Sequence, residues 1–180
     1  MATKRKKALK DSRLMLISEL MKNSRRSDRE LSRVLSISQP TVGRIIRKMK
    51  KQGIIKEYTM IPDFLKLGYK IMALTFCSFK ELNPDEHEKT ATAKPDLSDE
   101  LSQRIIMLER GLGLENAGAI VSLHTSYSSY VETLHKLKEH PFLDMSKSQS
   151  FLIDLSDRVR YRPLTLSALT ALKLNNDLFA

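Results

Sequence analysis

The chain has 180 residues, 41% of them hydrophobic and 29% charged, a balance that excludes a disordered or collagen-like protein and suits one large domain or two small ones. Its net charge of +10 is unevenly spread: residues 1–60 hold 17 Lys/Arg against 5 Asp/Glu, net +12, and residues 61–180 hold 14 against 16, net −2. The first third is therefore expected to meet a polyanion, nucleic acid before an anionic membrane surface, because the basic helices carry no aromatic wedge. No apolar run reaches the roughly 18 residues of a membrane span, and the basic N-terminus has no apolar signal core. The one cysteine, Cys77, has no disulfide partner in the chain and fits a reducing, cytoplasmic setting.

The run Lys4-Arg5-Lys6-Lys7 reads as a frayed tail, or as an arm that reaches DNA. Apolar residues recurring from Leu9 to Met21 predict a first helix over about 10–22. Ser27-Asp28-Arg29-Glu30 is a capping box, in which the serine oxygen accepts the Glu30 amide and the glutamate reaches back to the serine amide. It predicts a short second helix with Leu31, Val34 and Leu35 facing inward. Ser36-Ile37 makes a turn, Ser38 caps a third helix, and Pro40 fits its first turn. Val42, Ile45, Ile46 and Met49 form its apolar stripe and Gly53 ends it. Two helices joined in this way, the second basic, make a helix-turn-helix.

Residues 54–61 are rich in β formers and read as a wing, with Pro62 closing them. A linker with a short helical turn spans 63–68, which places a DNA-binding domain at 1–62 and a second domain at 69–180. In the second domain a strand over 69–79 precedes a helix that starts at Asn83-Pro84 and kinks at Pro95. Strands at 104–109 and 117–124 flank a glycine-containing turn, and a helix from Tyr127 stops before Pro141. A strand at 151–155, which Val159 to Arg162 extend, and a terminal helix carrying Leu164 to Leu172 complete the chain. The order β-α-β-β-α-β is ferredoxin-like, so the expected class is α+β.

Glu30-Leu31-Ser32 in the second helix, Leu35-Ser36-Ile37-Ser38 at the turn, Gly53-Ile54-Ile55 after the third helix and Leu67-Gly68-Tyr69 before the first strand resemble the Lrp/AsnC family of transcriptional regulators. The runs Ile106-Met107-Leu108-Glu109-Arg110-Gly111-Leu112-Gly113 and Tyr161-Arg162-Pro163-Leu164 are similar to archaeal members. The resemblance implies a winged-helix reader of duplex DNA joined to a domain that assembles the protein into dimers or higher oligomers and senses a small-molecule effector. It implies neither enzymatic activity nor a cofactor. The family commonly carries a Gly-x-Tyr-Asp-like run at the turn between the second and third strands. Here the matching stretch is Glu115-Asn116-Ala117-Gly118, so amino-acid binding does not follow.

A recognition helix meets base edges at its start. Gln39, Thr41 and Arg44 are the base-reading candidates, with Ser38 and Pro40 at the helix entry and Arg47, Lys48 and Lys51 gripping phosphate further along. Gly43 costs roughly 1 kcal/mol of helix propensity against alanine, which close approach of the backbone to a groove would offset. Arg110, Gly113, His124 and Tyr127 are the candidates for an effector pocket, although His124 reads first as a packed or hydrogen-bonded histidine, and Tyr127 and Tyr130 first as helix-packing residues. His135 and His140 are expected to face solvent. Arg158, Arg160 and Arg162 alternate along one side of a predicted strand, a pattern that also suits carboxylate binding in a tetrapyrrole decarboxylase on the same fold. A nonspecific architectural DNA-binding protein is the third alternative.

Overall fold

The computed structural model describes residues 2–80, 99–159 and 164–171. They fall into two compact units, one containing Met1–Ile61 and the other spanning Pro62–Arg160. The described C-terminal residues 164–171 group with the first unit, whereas the sequence reading assigned them to the domain that follows the linker.

The first unit holds α1 (Ala2–Lys22), α2 (Asp28–Leu35) and α3 (Gln39–Lys51). Helix α1 starts eight residues before the predicted position and takes in the Lys4–Lys7 run, because alanine, leucine, lysine and arginine all favour the helix backbone. The capping box is formed: Glu30 N donates to Ser27 Oγ at 3.3 Å, and Ser27 N donates to Glu30 Oε2 at 2.7 Å. That amide and the serine hydroxyl hold the Glu30 carboxyl below its ordinary pKa.

The turn between α2 and α3 is tied by Ile37 N donating to Ser32 O at 3.2 Å and Ser32 Oγ donating to Ile37 O at 2.7 Å. Ser36 closes α2 in the left-handed region with φ 52°. Leu16, Leu20, Leu31, Leu35, Val42, Ile45 and Met49 form the buried core, with Ile46 packed at its margin. Val34 is 51% exposed and not part of it, because an eight-residue helix turns only its i, i+4 pair, Leu31 and Leu35, fully inward.

Residues 54–61 form no strand. Their β-branched and aromatic side chains suit a sheet, but a single extended segment finds no ladder partner among the described residues of this unit. Tyr58 packs instead beneath Lys50, whose Nζ lies 4.7 Å from the ring centroid. The C-terminal segment contributes a 3-10 turn, Ser167–Ala171, where a terminal helix was expected. It lies against α1, and Ser18 Oγ donates to Thr170 O at 3.3 Å.

The second unit opens with a helical turn in the predicted linker, where Gly68, at φ 92°, donates to Leu65 O. Its elements are β1 (Ile71–Phe79), α4 (Asp99–Ser102), β2 (Ile105–Gly113), β3 (Asn116–His124), α5 (Tyr127–Glu139) and β4 (Leu143–Asp154). The helix predicted from Asn83 lies outside the described residues except for α4 at its end. The four strands form one antiparallel sheet in the order β2-β3-β1-β4, the ferredoxin-like arrangement. Strand β2 runs on to Gly113, so the predicted seven-residue turn shrinks to Leu114-Glu115, both at positive φ (52° and 56°).

Strand β4 starts eight residues before the predicted position, and its register against β1 slips between Phe76 and Ser78. Arg158 lies beyond the end of this strand at an exposed bend; Arg160 and Arg162 lie outside the described residues.

Alternation assigns the two faces of the sheet. Ala73, Thr75 and Cys77 of β1 and Ile120 of β3 are buried, and Cys77 and Ile120 join Leu101, Leu137, Leu143 and Met145 in the core. Burial also raises the Cys77 thiol pKa, leaving an unreactive thiol. On the opposite face Leu74 pairs with Val121 and Phe151, and Met72 with Leu123 and Ile153. On that face Phe151 is 66% exposed and Ile153 is also exposed, while Leu123 is buried.

Gly118 sits where β3 passes the Phe79 ring; a Cβ there would meet ring carbons at 2.8 and 2.9 Å. Gly118→Ala is therefore expected to destabilise the sheet unit by about 1–3 kcal/mol, the usual cost of overpacking. A fall in the urea midpoint with an unchanged slope would report it.

Candidate nucleic-acid interface

Helix α3 carries its functional side chains because its core stripe leaves one face free. Val42, Ile45 and Met49 are buried. At 100° per residue the opposite arc holds Pro40, Arg44, Arg47, Lys48 and Lys51, and all five are exposed. The four cations stand at i, i+3, i+4 and i+7, one contiguous ridge, and none makes an ion pair among the described residues. The ridge is a row of five-donor guanidinium forks and ammonium groups with no internal counterion, a surface suited to phosphate and to guanine edges.

The helix entry differs in detail from the sequence reading. Ser38 holds the N-cap backbone position, but its side chain makes no cap hydrogen bond to an amide. Its Oγ lies 2.8 Å from Thr41 Oγ1, so the two hydroxyls satisfy each other. Gln39 is exposed and Thr41 half-buried.

Gly43 is half-buried beside the start of α2. A Cβ there would come 3.1 Å from Asp28 Oδ2, so the glycine makes room for the carboxylate at the start of α2. The contact is with the movable end of a side chain, so the gain in helix propensity wins. Gly43→Ala is expected to stabilise the helical unit by about 0.5 kcal/mol in chemical denaturation and to leave DNA affinity within about threefold. Asp28 and Tyr58 were not foreseen on this flank. The sequence carries no sign of them, because only folding brings residues 28, 43, 50 and 58 together.

The four candidate pocket residues separate into two pairs. His124 ends β3 and Tyr127 begins α5. Arg110 pairs with Gly118, and Gly113 with Asn116, at the other end of β3. Six residues of strand, about 20 Å, divide the pairs, so one copy of the sheet does not bring them into a single pocket. Arg110 instead places its guanidinium 5.3 Å from the Phe79 ring centroid.

His124 is buried, with Nε2 2.8 Å from Ser122 Oγ and its ring set edge-on to Tyr130 at 5.5 Å. It is a packed histidine. Tyr130 packs as expected, whereas Tyr127 is 63% exposed. His135 is exposed, but His140 is buried: it closes α5 and tilts against Phe142, an arrangement forced by the chain reversal at Pro141. Arg104 Nη1 bonds Glu132 Oε2 and Thr133 Oγ1, both at 3.2 Å.

Burial first, and the Arg104 charge second, lower the His124 pKa from 6.5 to about 4. The folded protein therefore holds a neutral imidazole where the unfolded chain takes up a proton. Stability is full above pH 6.5, declines as pH falls, and stops declining below about 4, a loss on the order of 3 kcal/mol. His124→Asn should lack this component, and urea unfolding of both proteins between pH 7.5 and 4 reads the difference. No group of three or more His, Cys, Asp or Glu placed to hold a metal occurs among the described residues.

Residues 9–56 match the family model described as winged helix-turn-helix DNA-binding. The class defined by fold and interface is thus a helix-turn-helix protein with an α+β second domain. Over 103 residues the chain is 32% identical to PH0061 of Pyrococcus horikoshii, named as an uncharacterized HTH-type transcriptional regulator, covering 57% of this chain and 64% of the relative. Over 84 residues it is 33% identical to the regulator LrpC of Bacillus subtilis, covering 47% of this chain and 58% of the relative. Each match spans less than two thirds of the relative's own length.

The solved structures extend the likeness to the whole fold. PH0061 superposes with a TM-score of 0.62 at 24% identity, covering 85% of this chain and 96% of that one. LrpC does so with 0.60 at 23% identity, covering 84% and 96%. A Neisseria meningitidis regulator solved with L-Met reaches 0.65 at 15%, covering 87% and 93%. The chain thus shares the fold of these solved regulators, and its residues 9–56 are similar to a winged helix-turn-helix DNA-binding domain.

Proposed function

We propose that the protein is a sequence-specific, duplex-DNA-binding transcriptional regulator that works as a homodimer or larger assembly. The observation that carries this reading is the exposed ridge of Arg44, Arg47, Lys48 and Lys51 on the second helix of the helix-turn-helix, opposite the buried stripe. Arg44, with Gln39 and Thr41, reads bases; Arg47, Lys48 and Lys51 hold phosphates, and Ser38 and Pro40 shape the entry. A second copy covers the open apolar face of the sheet, because Met72, Leu74, Phe151 and Ile153 repeat across paired strands and suit a self-complementary contact. Two reading heads then address paired half-sites.

Small-molecule sensing belongs in this scheme to the sheet unit, as the L-Met complex of the Neisseria relative suggests. No enzymatic step is assigned to the chain, and relatives named as regulators support that. The reading is tested by selecting bound fragments from genomic DNA, with and without candidate metabolites, and by competition with unrelated duplex at moderate salt. Enrichment of a shared paired motif supports it. Equal competition by unrelated DNA would replace it with the architectural alternative.

A further inference from the structure

We infer, on the strength of the DNA-binding reading and deepening it, that Arg29 and Arg33 on the outer face of α2 form a second phosphate grip, which holds the duplex backbone beside the groove that α3 enters. Each arginine lies two residues from Leu31, one before it and one after, so at 100° per residue both stand about 160° from that buried side chain. Both are exposed. Four residues apart on one side of the helix, they have Cβ atoms about 5–6 Å from one another.

The acids nearby are engaged elsewhere. Glu30 is turned back into the capping box, where Ser27 N and Ser27 Oγ donate to its Oε2 at 2.7 and 2.8 Å. Asp28 is half-buried, with its Oδ2 beside Gly43 of α3. Glu19 holds Arg26 and, at 2.6 Å, Lys22. Arg29 and Arg33 make no ion pair among the described residues. Folding does not call for Arg29, because it stands in the first turn, where a cation opposes the positive pole of the helix dipole. The capping box also sets a carboxylate on the amide end of α2, the ordinary seat of a phosphate on a helix. An anion that approaches α2 therefore meets its side, where the two guanidinium groups are exposed.

Duplex DNA is the occupant that these surroundings select. Helices α2 and α3 are joined by residues 36–38 and share one core, so the arginine pair belongs to the same motif as the α3 ridge. The first helix of a helix-turn-helix crosses the sugar-phosphate backbone. Planar guanidinium forks bind phosphate oxygens in pairs, and such contacts fix the register of the protein on the duplex without reading its sequence.

The test uses the full chain with Arg29 and Arg33 both replaced by glutamine, a residue of similar helix propensity. Binding to a selected duplex and to an unrelated one is measured from 50 to 200 mM salt. Loss of two phosphate contacts should reduce the slope of log K against log salt by about 1.8 and weaken both duplexes alike, about thirty-fold at 150 mM. Lysine at both positions keeps the charge and should restore most of the slope. A control with Lys66 and Lys138 replaced by glutamine changes the net charge equally and should leave the slope unchanged.

A slope reduction below about 0.7, an equal reduction in the control, a loss confined to the selected duplex, or a lysine variant no better than the glutamine one each overturns the grip while α3 binding persists. A parent that binds no duplex at 50 mM salt removes the DNA-binding reading itself, and the grip with it.

Discussion

Replacing Arg44, Arg47 and Lys48 together by alanine is expected to lower affinity for the preferred duplex about a thousand-fold at 150 mM salt. The loss has two parts. Arg44 stands where a guanidinium reaches a guanine edge, and removing such a contact costs about 1–3 kcal/mol. Arg47 and Lys48 are sequence-blind; each phosphate contact removed forfeits about one released counterion, worth somewhat under tenfold at this salt. All three are exposed and outside the core, so helix content and unfolding midpoint should stay near the parent values. Single variants separate the roles. Arg44→Ala should flatten preference at one base-pair position, and Lys48→Ala should weaken all duplexes alike and shallow the salt slope by about 0.9. Parental affinity in the triple variant would remove α3 from the interface.

Phe151→Glu should convert the proposed homodimer to monomers. Phe151 stands on the open face opposite Leu74, two thirds exposed in one copy. Twofold symmetry places the substitution on both sides of one contact, so each dimer loses two buried rings and gains two carboxylates in an apolar seam. Losing about 2–3 kcal/mol per ring weakens dimerisation on the order of a thousand-fold or more. Sedimentation at micromolar concentration would show the shift. DNA affinity should fall as well, because separate heads no longer share one site. An undisturbed oligomer would locate the self-contact elsewhere.

What was legible beforehand was local. The capping box, the Ser36-Ile37 turn, the α3 stripe and the Gly53 stop all act within a few residues, and each appears where its own chemistry puts it. The exposed ridge followed from the stripe by geometry. What was illegible depended on pairing. The stretch Asp144 to Ser150 of β4 is mostly polar and has no strand pattern of its own; only pairing with β1, through Asp144 and through Gln149 and Ser150, ties it to the sheet. Residues 54–61 had the composition of a strand without a partner. The candidate pocket residues were spread by the same cause: the hairpin register sets Arg110 and His124 at opposite ends of β3 within one copy. Gly43 was credited to a groove because its neighbour Asp28 is fifteen residues away in the chain.

The short turn at Ser167–Ala171 has a practical consequence. It lies on α1 although the whole sheet unit, Pro62–Arg160, separates the two in the chain. The reading head therefore cannot be lifted out with a single cut near residue 61. An excised head would lack a piece of its own wall, and a version faithful to the intact protein would need that C-terminal peptide stitched back, by a fusion or by a circularly rearranged gene.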